Sequence, residues 1–398
     1  MDFGMVEDLV YEEPVTPTDI KVVGVGGAGG NAVNRMILNG LKKVTYVAMN
    51  TDMQALYRSN AQIRLPIGKE LTGGLGAGGV PEVGEKAAIE SKEEIRKILQ
   101  GTDMVFITAG MGGGTGTGAA PIVAEVARAE GILTVAVVTT PFSFEGKKKL
   151  ELAQVGIEKL RKNVDTMILI PNQYLLKVAD KATPIKQAFL MADDVLRQGV
   201  QGITELITEP GEINIDFADV RTVMSNKGDA LMGIGLGEGA NRAVDAATQA
   251  ISNPLLENAT IEGAKAVLVN LTGGENLTLE EYQVVVDLIS KKCDPEALII
   301  SGQAFKPELG DQIKVTVVAT GFKAAEPTFE EASASAAGEQ DKPYKAPEPT
   351  VPKPEVITVN RWQDLQNKIS SQGGYRDADL KDFSVPAILR YGAKKNEQ

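Results

Sequence analysis

Short unbroken apolar runs alternate with stretches of helical spacing through the first half of the chain, the pattern of a mostly parallel sheet wrapped by helices. Ile20 to Val25 predicts a buried strand, followed by a glycine-rich turn and a helix over Asn31 to Leu38. Lys43 to Met49, Met104 to Thr108, Leu133 to Val138 and Met167 to Ile170 predict further strands, with a helix over Ile122 to Arg128. From Pro184 to Thr208 apolar residues recur at helical spacing, among them Ile185, Phe189, Val195, Leu196, Val200 and Ile203. A helix of about 22 residues there would be roughly 33 Å long, enough to run the height of a domain.

A second domain is expected from about Phe217 to Phe322. It holds a helix, the strand-like runs Ala266 to Leu271, Ala297 to Ser301 and Ile313 to Thr320 as a second sheet, and two further helical patterns. After Phe322 the composition turns to Ala, Ser, Glu, Lys and Pro, with six prolines from Pro327 to Pro354. Such a segment cannot bury enough apolar surface to order itself, and a flexible chain of about 55 residues spans roughly 40 Å. An apolar cluster then returns at Leu380, Phe383, Val385, Pro386, Ile388 and Leu389.

Composition narrows the chemistry. A net charge of −12 over 398 residues argues against a nucleic-acid binder. The single cysteine, Cys293, rules out a disulfide framework and fits a reducing cytoplasm. The acidic start, Met1 to Thr18, lacks the basic residues and apolar run of a signal peptide. The longest apolar stretch, Ile132 to Val138, is too short to span a bilayer, so no membrane insertion is expected. The absence of histidine removes the commonest general base and the commonest metal ligand together.

Two glycine-rich loops carry the chemistry. Gly24-Val25-Gly26-Gly27-Ala28-Gly29 satisfies G-x-G-x-x-G between a strand and a helix, with Asp52 further on, as in a Rossmann dinucleotide site. On that loop alone an NAD-dependent oxidoreductase is a live reading. Met111 to Pro121 then sets five glycines and two threonines between a strand and a helix start. Backbone N–H groups and a positive helix end make a second anion cradle, and two cradles fit a nucleoside triphosphate better than one pyrophosphate. No G-x-x-x-x-G-K-[ST] is present, which excludes a P-loop enzyme. A third element, Thr72 to Gly79, reads either as a plain flexible loop or as a cover for the terminal phosphate.

Gly24 to Arg35, Met111 to Pro121, Phe144-Glu145-Gly146-Lys147-Lys148 and Asn214 to Val220 together resemble the FtsZ family of bacterial tubulin-like cell-division GTPases. The resemblance covers Ile20 to Phe322 and returns at Asp382 to Tyr391. It implies an α/β fold with a Rossmann-like parallel-sheet GTP-binding domain over 19–183 and a central helix over 184–208. A second, α+β domain that activates GTP hydrolysis would follow over 209–322. A flexible extension over 1–18, a disordered linker over 323–378 and a partner-binding peptide over 379–398 complete the organisation.

The resemblance also implies site residues. Gly27, Ala28, Gly29, Gly30 and Asn31 would form the first nucleotide loop, and Gly114, Thr115 and Gly116 the central phosphate contacts. Glu145 would bind the ribose, whose vicinal hydroxyls suit a carboxylate acceptor. Phe189 would stack on the base, unless it packs in the core, and Asp193 would accept both N1–H and the 2-amino group of guanine, a donor pair adenine lacks. Ala28 and Lys149 depart from the glycine and arginine common in the family; lysine keeps the charge near the ligand but loses the planar fork. Magnesium is expected on the β- and γ-phosphates, with no protein metal ligands.

No residue near these loops is suited to position a water. Asn214, Asp216 and Asp219 lie beyond the far end of the long helix, roughly 30 Å from the nucleotide within one molecule. They reach it if copies stack head to tail, which propagates into a filament and makes hydrolysis depend on assembly. The same residues also suit the N-cap of a following helix. The family resemblance further implies a division ring at midcell, on the inner face of the membrane, with Asp379 to Arg390 docking membrane-tethering and regulatory division proteins.

Overall fold

The computed structural model describes residues 18–41, 43–179, 182–208, 211–213, 215–252 and 261–322. The expected N-terminal extension, linker and terminal peptide, together with Asn214, lie outside the described residues.

Ten strands form a single sheet among these residues: β1 (Ile20–Val25), β2 (Thr45–Asn50), β3 (Ile63–Pro66), β4 (Met104–Gly110), β5 (Leu133–Thr140), β6 (Thr166–Pro171), β7 (Gly228–Gly237), β8 (Ala266–Gly273), β9 (Leu298–Phe305) and β10 (Ile313–Thr320). The helices are α1 (Gly26–Leu38), α2 (Met53–Tyr57), α3 (Lys69–Thr72), α4 (Pro81–Glu90), α5 (Lys92–Leu99), α6 (Thr115–Ala129), α7 (Lys147–Arg161), α8 (Asn172–Val178), α9 (Ile185–Thr208), α10 (Phe217–Met224), α11 (Arg242–Ile251) and α12 (Leu279–Ser290). The strand order is β3-β2-β1-β4-β5-β6-β7-β10-β8-β9. Pairing is parallel from β3 through β7, whereas β10 runs antiparallel to both β7 and β8.

The expected second sheet is therefore a continuation of the first. The junction is short: Thr166, Met167 and Ile168 of β6 pair with Gly228, Asp229 and Ala230 of β7. Sequence patterning passed over β7 because its glycines weaken strand propensity. Those glycines are required by α11, which lies directly on the strand. A Cβ at Gly235 would stand 1.9 Å from the carbonyl oxygen of Ala246, and one at Gly237 equally close to that of Arg242.

Apolar burial explains the layers. One face of β1, β2, β4, β5 and β6 is covered by α1 and α9, and that core continues to Leu268 of β8 and Val318 of β10. The opposite face of the parallel half buries α4, α5, α6 and α7. α11 and α12 cover the corresponding face of β8 and β10. The 24-residue α9, about 36 Å long, thus runs beneath both halves of the sheet. Its carboxylate Glu205, 1% exposed, binds Lys314 Nζ at 3.1 Å and Lys306 Nζ, tying the helix to β10 and the segment after β9.

Candidate functional site

Two helices begin side by side at the carboxyl edge of the parallel strands. β1 and β4 pair through Val25 and Ala109 at their ends, and the strand order reverses between them. Crossovers leaving such a switch point in opposite directions open a crevice above the strands. α1 follows β1 directly, and α6 follows the glycine loop after β4. Gly26 has φ +75°, and a Cβ on it would sit 2.8 Å from the backbone nitrogen of Gly116, so the two helix starts touch. Neither helix carries an acidic residue in its first turn or a side chain capping its N-terminus. Unpaired N–H groups and two positive dipole ends consequently share one region. This is an anion site built from backbone.

The sequence-selected residues divide by the direction they face. A side chain at Gly27 or Gly30 would meet nothing within 4 Å, so the outer face of α1 is open there. Asn31 is exposed on the next turn. Gly29 faces inward instead: its Cβ would lie 2.3 Å from the carbonyl oxygen of Thr108, and its absence lets α1 pack against the sheet. The methyl of Ala28 occupies space beside Gly110. Gly114 is the N-cap of α6, Thr115 its first residue, and Gly116 is buried above the carbonyl of Gly110. Thr117 Oγ1 accepts the N–H of Gly112 at 2.8 Å and shapes the loop from within.

Several neighbours were not singled out from sequence. Thr51, at the end of β2, shares a 2.7 Å hydroxyl contact with Thr115. Its carbonyl accepts the Gly76 N–H at 3.1 Å, which fixes the third glycine loop beside the cradle. A Cβ at Gly114 would meet Ala77 of that loop and the backbone nitrogen of Val80, just after it, at under 3 Å. A cleft of about 110 Å³ opens against Gly27, Gly30 and Asn31, with Asn34, Asn50 and Arg58 also on its wall. Thr51 and the cleft wall carry only isolated polar side chains, and no spacing rule marks them.

The segment after β5 approaches the same region. A Cβ at Gly112 would lie 2.8 Å from the carbonyl oxygen of Lys149. Glu145 accepts the Phe142 N–H at 3.0 Å through one carboxylate oxygen and Lys149 Nζ at 3.1 Å through the other. Phe189 stands edge-on to Phe142 at 5.4 Å and to Phe144 at 6.5 Å, which brings α9 to that turn. At 40% exposure Phe189 is not a core residue; Phe142, fully buried, fills that role. Asp193, one turn along α9, lies 3.8 Å from Arg35 of α1. Burial pushes its carboxyl up to about 6, against the opposing effect of Arg35.

Asp216 and Asp219 are elsewhere. Asp216 is the N-cap of α10, its Oδ1 accepting the Asp219 N–H at 3.1 Å, and both residues are exposed. α10 lies at the amino edge of the strands. Its Arg221 reaches the carbonyl of Asp103, just before β4, and Met224 O accepts the hydroxyl of Thr166 at the start of β6. Lys43, before β2, donates to Thr208 O at the end of α9 at 2.5 Å. The cradle and the two aspartates thus occupy opposite poles, separated by the length of the strands, about 20 Å or more.

The dinucleotide reading finds no support in the families this chain matches. Asp52 is the N-cap of α2, its Oδ1 accepting the N–H groups of Gln54 and Ala55 at 2.8 and 3.4 Å. Residues 19–180 match the Tubulin/FtsZ family, GTPase domain, and residues 228–323 the FtsZ family, C-terminal domain. An FtsZ dimer from M. jannaschii, solved empty, is similar at 47% identity and a TM-score of 0.73, over 77% of this chain and 89% of that one. CetZ2 from Haloferax volcanii, solved as a GTPγS-bound protofilament, is similar at 19% identity and a TM-score of 0.65, over 80% and 98% of the two chains. CetZ1 from the same organism, a GDP-bound monomer, gives 20% and 0.67, over 81% and 100%. The CetZ likeness speaks for the fold alone. With both domains matched and close identity across most of the M. jannaschii protein, the chain belongs to the FtsZ family of tubulin-like GTPases.

Proposed function

We propose that this chain assembles head to tail in the presence of GTP and hydrolyses it only where two copies meet. Gly27 to Asn31 and Gly114 to Gly116 hold the phosphates, Glu145 and Lys149 lie at the ribose, and Phe189 and Asp193 take the guanine. The pole bearing Asp216 and Asp219 then closes over the neighbour's γ-phosphate, and Asn214 would act with them. The observation that carries this reading is the opposition of cradle and carboxylates across the sheet.

The chemistry follows from what each group can do. Phosphoryl transfer to water needs an in-line nucleophile and charge stabilisation more than covalent help. The carboxylates of Asp216 and Asp219 accept hydrogen bonds from the attacking water, turning its lone pair toward phosphorus. Asp216 can cap α10 through Oδ1 and still present Oδ2. Water adds to the γ-phosphorus, the bond to the bridging β–γ oxygen breaks, and GDP and phosphate leave. The two helix N-termini stabilise the negative charge on the phosphates. Mg²⁺, if bound, would be held by β- and γ-phosphate oxygens and neutralise charge there.

The similar FtsZ solved as a dimer supports self-association as the mode of action. A role in the division ring, a cytoplasmic location and docking of division proteins on residues 379–391 extend the same reading. Among the described residues no helix is long and apolar enough to cross a membrane. Phosphate release and right-angle light scattering, followed together after adding GTP, ATP or GDP, test the proposal. Expected is GTP-specific scattering with turnover per molecule that rises above a threshold protein concentration. Turnover independent of dilution would refute it.

A further inference from the structure

Two carboxylates sit next to each other on α9, and their surroundings differ. Asp194 is tied to its own helix: Arg197 Nε and Nη2 approach its oxygens at 2.7 and 3.3 Å, and Gln198 Nε2 at 2.6 Å. Despite the cost of burial, those donors hold it below the usual carboxylate range. Asp193 has no such clamp. Its nearest cation is Arg35 of α1, whose Nε stands 3.8 Å from Oδ2, inside ion-pair range but beyond a hydrogen bond. That Nε is buried and has no hydrogen-bond partner among the described residues. Both side chains are largely shielded, at 27% and 15% exposure.

A buried donor left unbonded beside a carboxylate is costly and needs a reason. The spacing supplies one. A guanidinium bonded in its usual forked geometry would occupy the carboxylate lone pairs. Standing off, it supplies positive field and leaves the oxygens available. A guanine Watson–Crick edge needs two acceptor sites that are ionised and unoccupied. Arg35 is also one helical turn beyond Asn31 on the same face of α1, so the field originates on the helix that carries the cradle.

We propose that Arg35 is a positioning residue for guanine recognition, a stand-off counter-ion that keeps Asp193 ionised while leaving both of its oxygens free for the base. The inference rests on the reading of Asp193 as the guanine acceptor. The groups acting on Asp193 are consistent with it. Burial raises its affinity for a proton, Arg35 opposes this, and the neighbouring charge of Asp194 adds to the rise. Across the adjoining turn, Glu145 and Lys149 are already paired with each other. Arg35 is therefore the cation that opposes the effect of burial on Asp193.

The test uses the full chain kept below its assembly threshold, with GDP and inosine diphosphate, which lacks the 2-amino group, titrated against a fluorescent nucleotide from pH 5 to pH 8.5. In the parent protein GDP affinity is flat at high pH and weakens about tenfold by one unit below the Asp193 midpoint near 6. In Arg35→Gln the loss begins at higher pH, while affinity at pH 8.5 returns close to the parent value. Arg35→Lys restores the parent profile. A purely structural role would lower affinity equally at every pH, and that result, or an Arg35→Gln profile superimposed on the parent's, overturns the proposal. Asp193→Asn separates the two levels. If it keeps the GDP preference, the guanine assignment itself fails, and the role of Arg35 with it. If it abolishes the preference while Arg35→Gln behaves as the parent, only the role of Arg35 fails.

Discussion

Replacing Asp219 by alanine separates catalysis from folding more cleanly than any other change at the acidic pole. The side chain is exposed in the first turn of α10, and the contact it makes through its backbone, the N–H donated to Asp216 Oδ1 at 3.1 Å, survives the substitution. What is lost is a favourable charge at a helix N-terminus, worth about 0.3–1 kcal/mol, and alanine returns up to about 0.7 kcal/mol of helix propensity. The net change in stability is expected within about 0.5 kcal/mol. Loss of a group that orients the attacking water typically costs about 10²–10⁴ in rate, equivalent to roughly 3–5 kcal/mol of barrier. The two effects differ by nearly an order of magnitude in energy, so one cannot be mistaken for the other. The assay is phosphate release per sedimented subunit, with urea unfolding and nucleotide binding measured on the same preparations. Expected are normal binding, normal sedimentation and turnover reduced at least a hundredfold. Turnover within threefold of the parent refutes the assignment, and a tenfold loss of GTP affinity by unassembled protein would mean that Asp219 faces its own nucleotide.

Other substitutions probe the cradle, the sheet junction and the electrostatics. Gly27→Asp places a carboxylate in the first turn of α1, where the side chain has open space; unfolding should be unchanged or shifted up by about 0.3–1 kcal/mol, while nucleotide binding by filter assay is abolished through charge repulsion. Asp216→Ala removes the α10 cap and should cost about 1 kcal/mol in urea unfolding besides its loss of turnover, unlike Asp219→Ala. Gly235→Ala drives a methyl into the backbone of α11 and should destabilise by at least about 1–3 kcal/mol. Glu281 is held down to about 2, first by its bond to Arg242 and then by the Thr278 cap. Because its folded value is depressed, that stabilisation is present above the unfolded value of about 4.3 and lost as pH falls toward 2. Denaturant midpoints measured between pH 7 and 2.5 should fall less steeply in Glu281→Gln, which retains the capping geometry.

Much of the nucleotide half was legible because its signals are local. Unbroken apolar runs give parallel strands, and β1 coincides with the stretch Ile20 to Val25 picked out by pattern alone. Glycine clusters between strand and helix mark backbone anion sites. Helix starts were misjudged for the same reason: α1 begins at Gly26 and α6 at Thr115, inside loops whose glycines depress helix propensity. Packing against the sheet and against each other holds those first turns helical. β7 escaped notice because its glycines answer to α11, a contact that appears only in three dimensions. Asp52 matched a spacing rule yet serves as a helix cap, since an aspartate before a short helix satisfies both patterns. Thr51 and Arg35 carry no motif, and only the convergence of β2, α1, α6 and α9 gives them partners.

Mixing two inactive variants tests the division of labour between poles most directly. Gly27→Asp keeps its acidic pole but cannot hold GTP, whereas Asp219→Ala binds GTP but lacks the carboxylate that orients water. If the reacting site belongs to two copies, an Asp219→Ala subunit capped by a Gly27→Asp neighbour is complete, and phosphate release should appear on mixing and peak near equal proportions. A mixture that stays as inactive as the sum of its separate components, while co-sedimenting, would contradict the account.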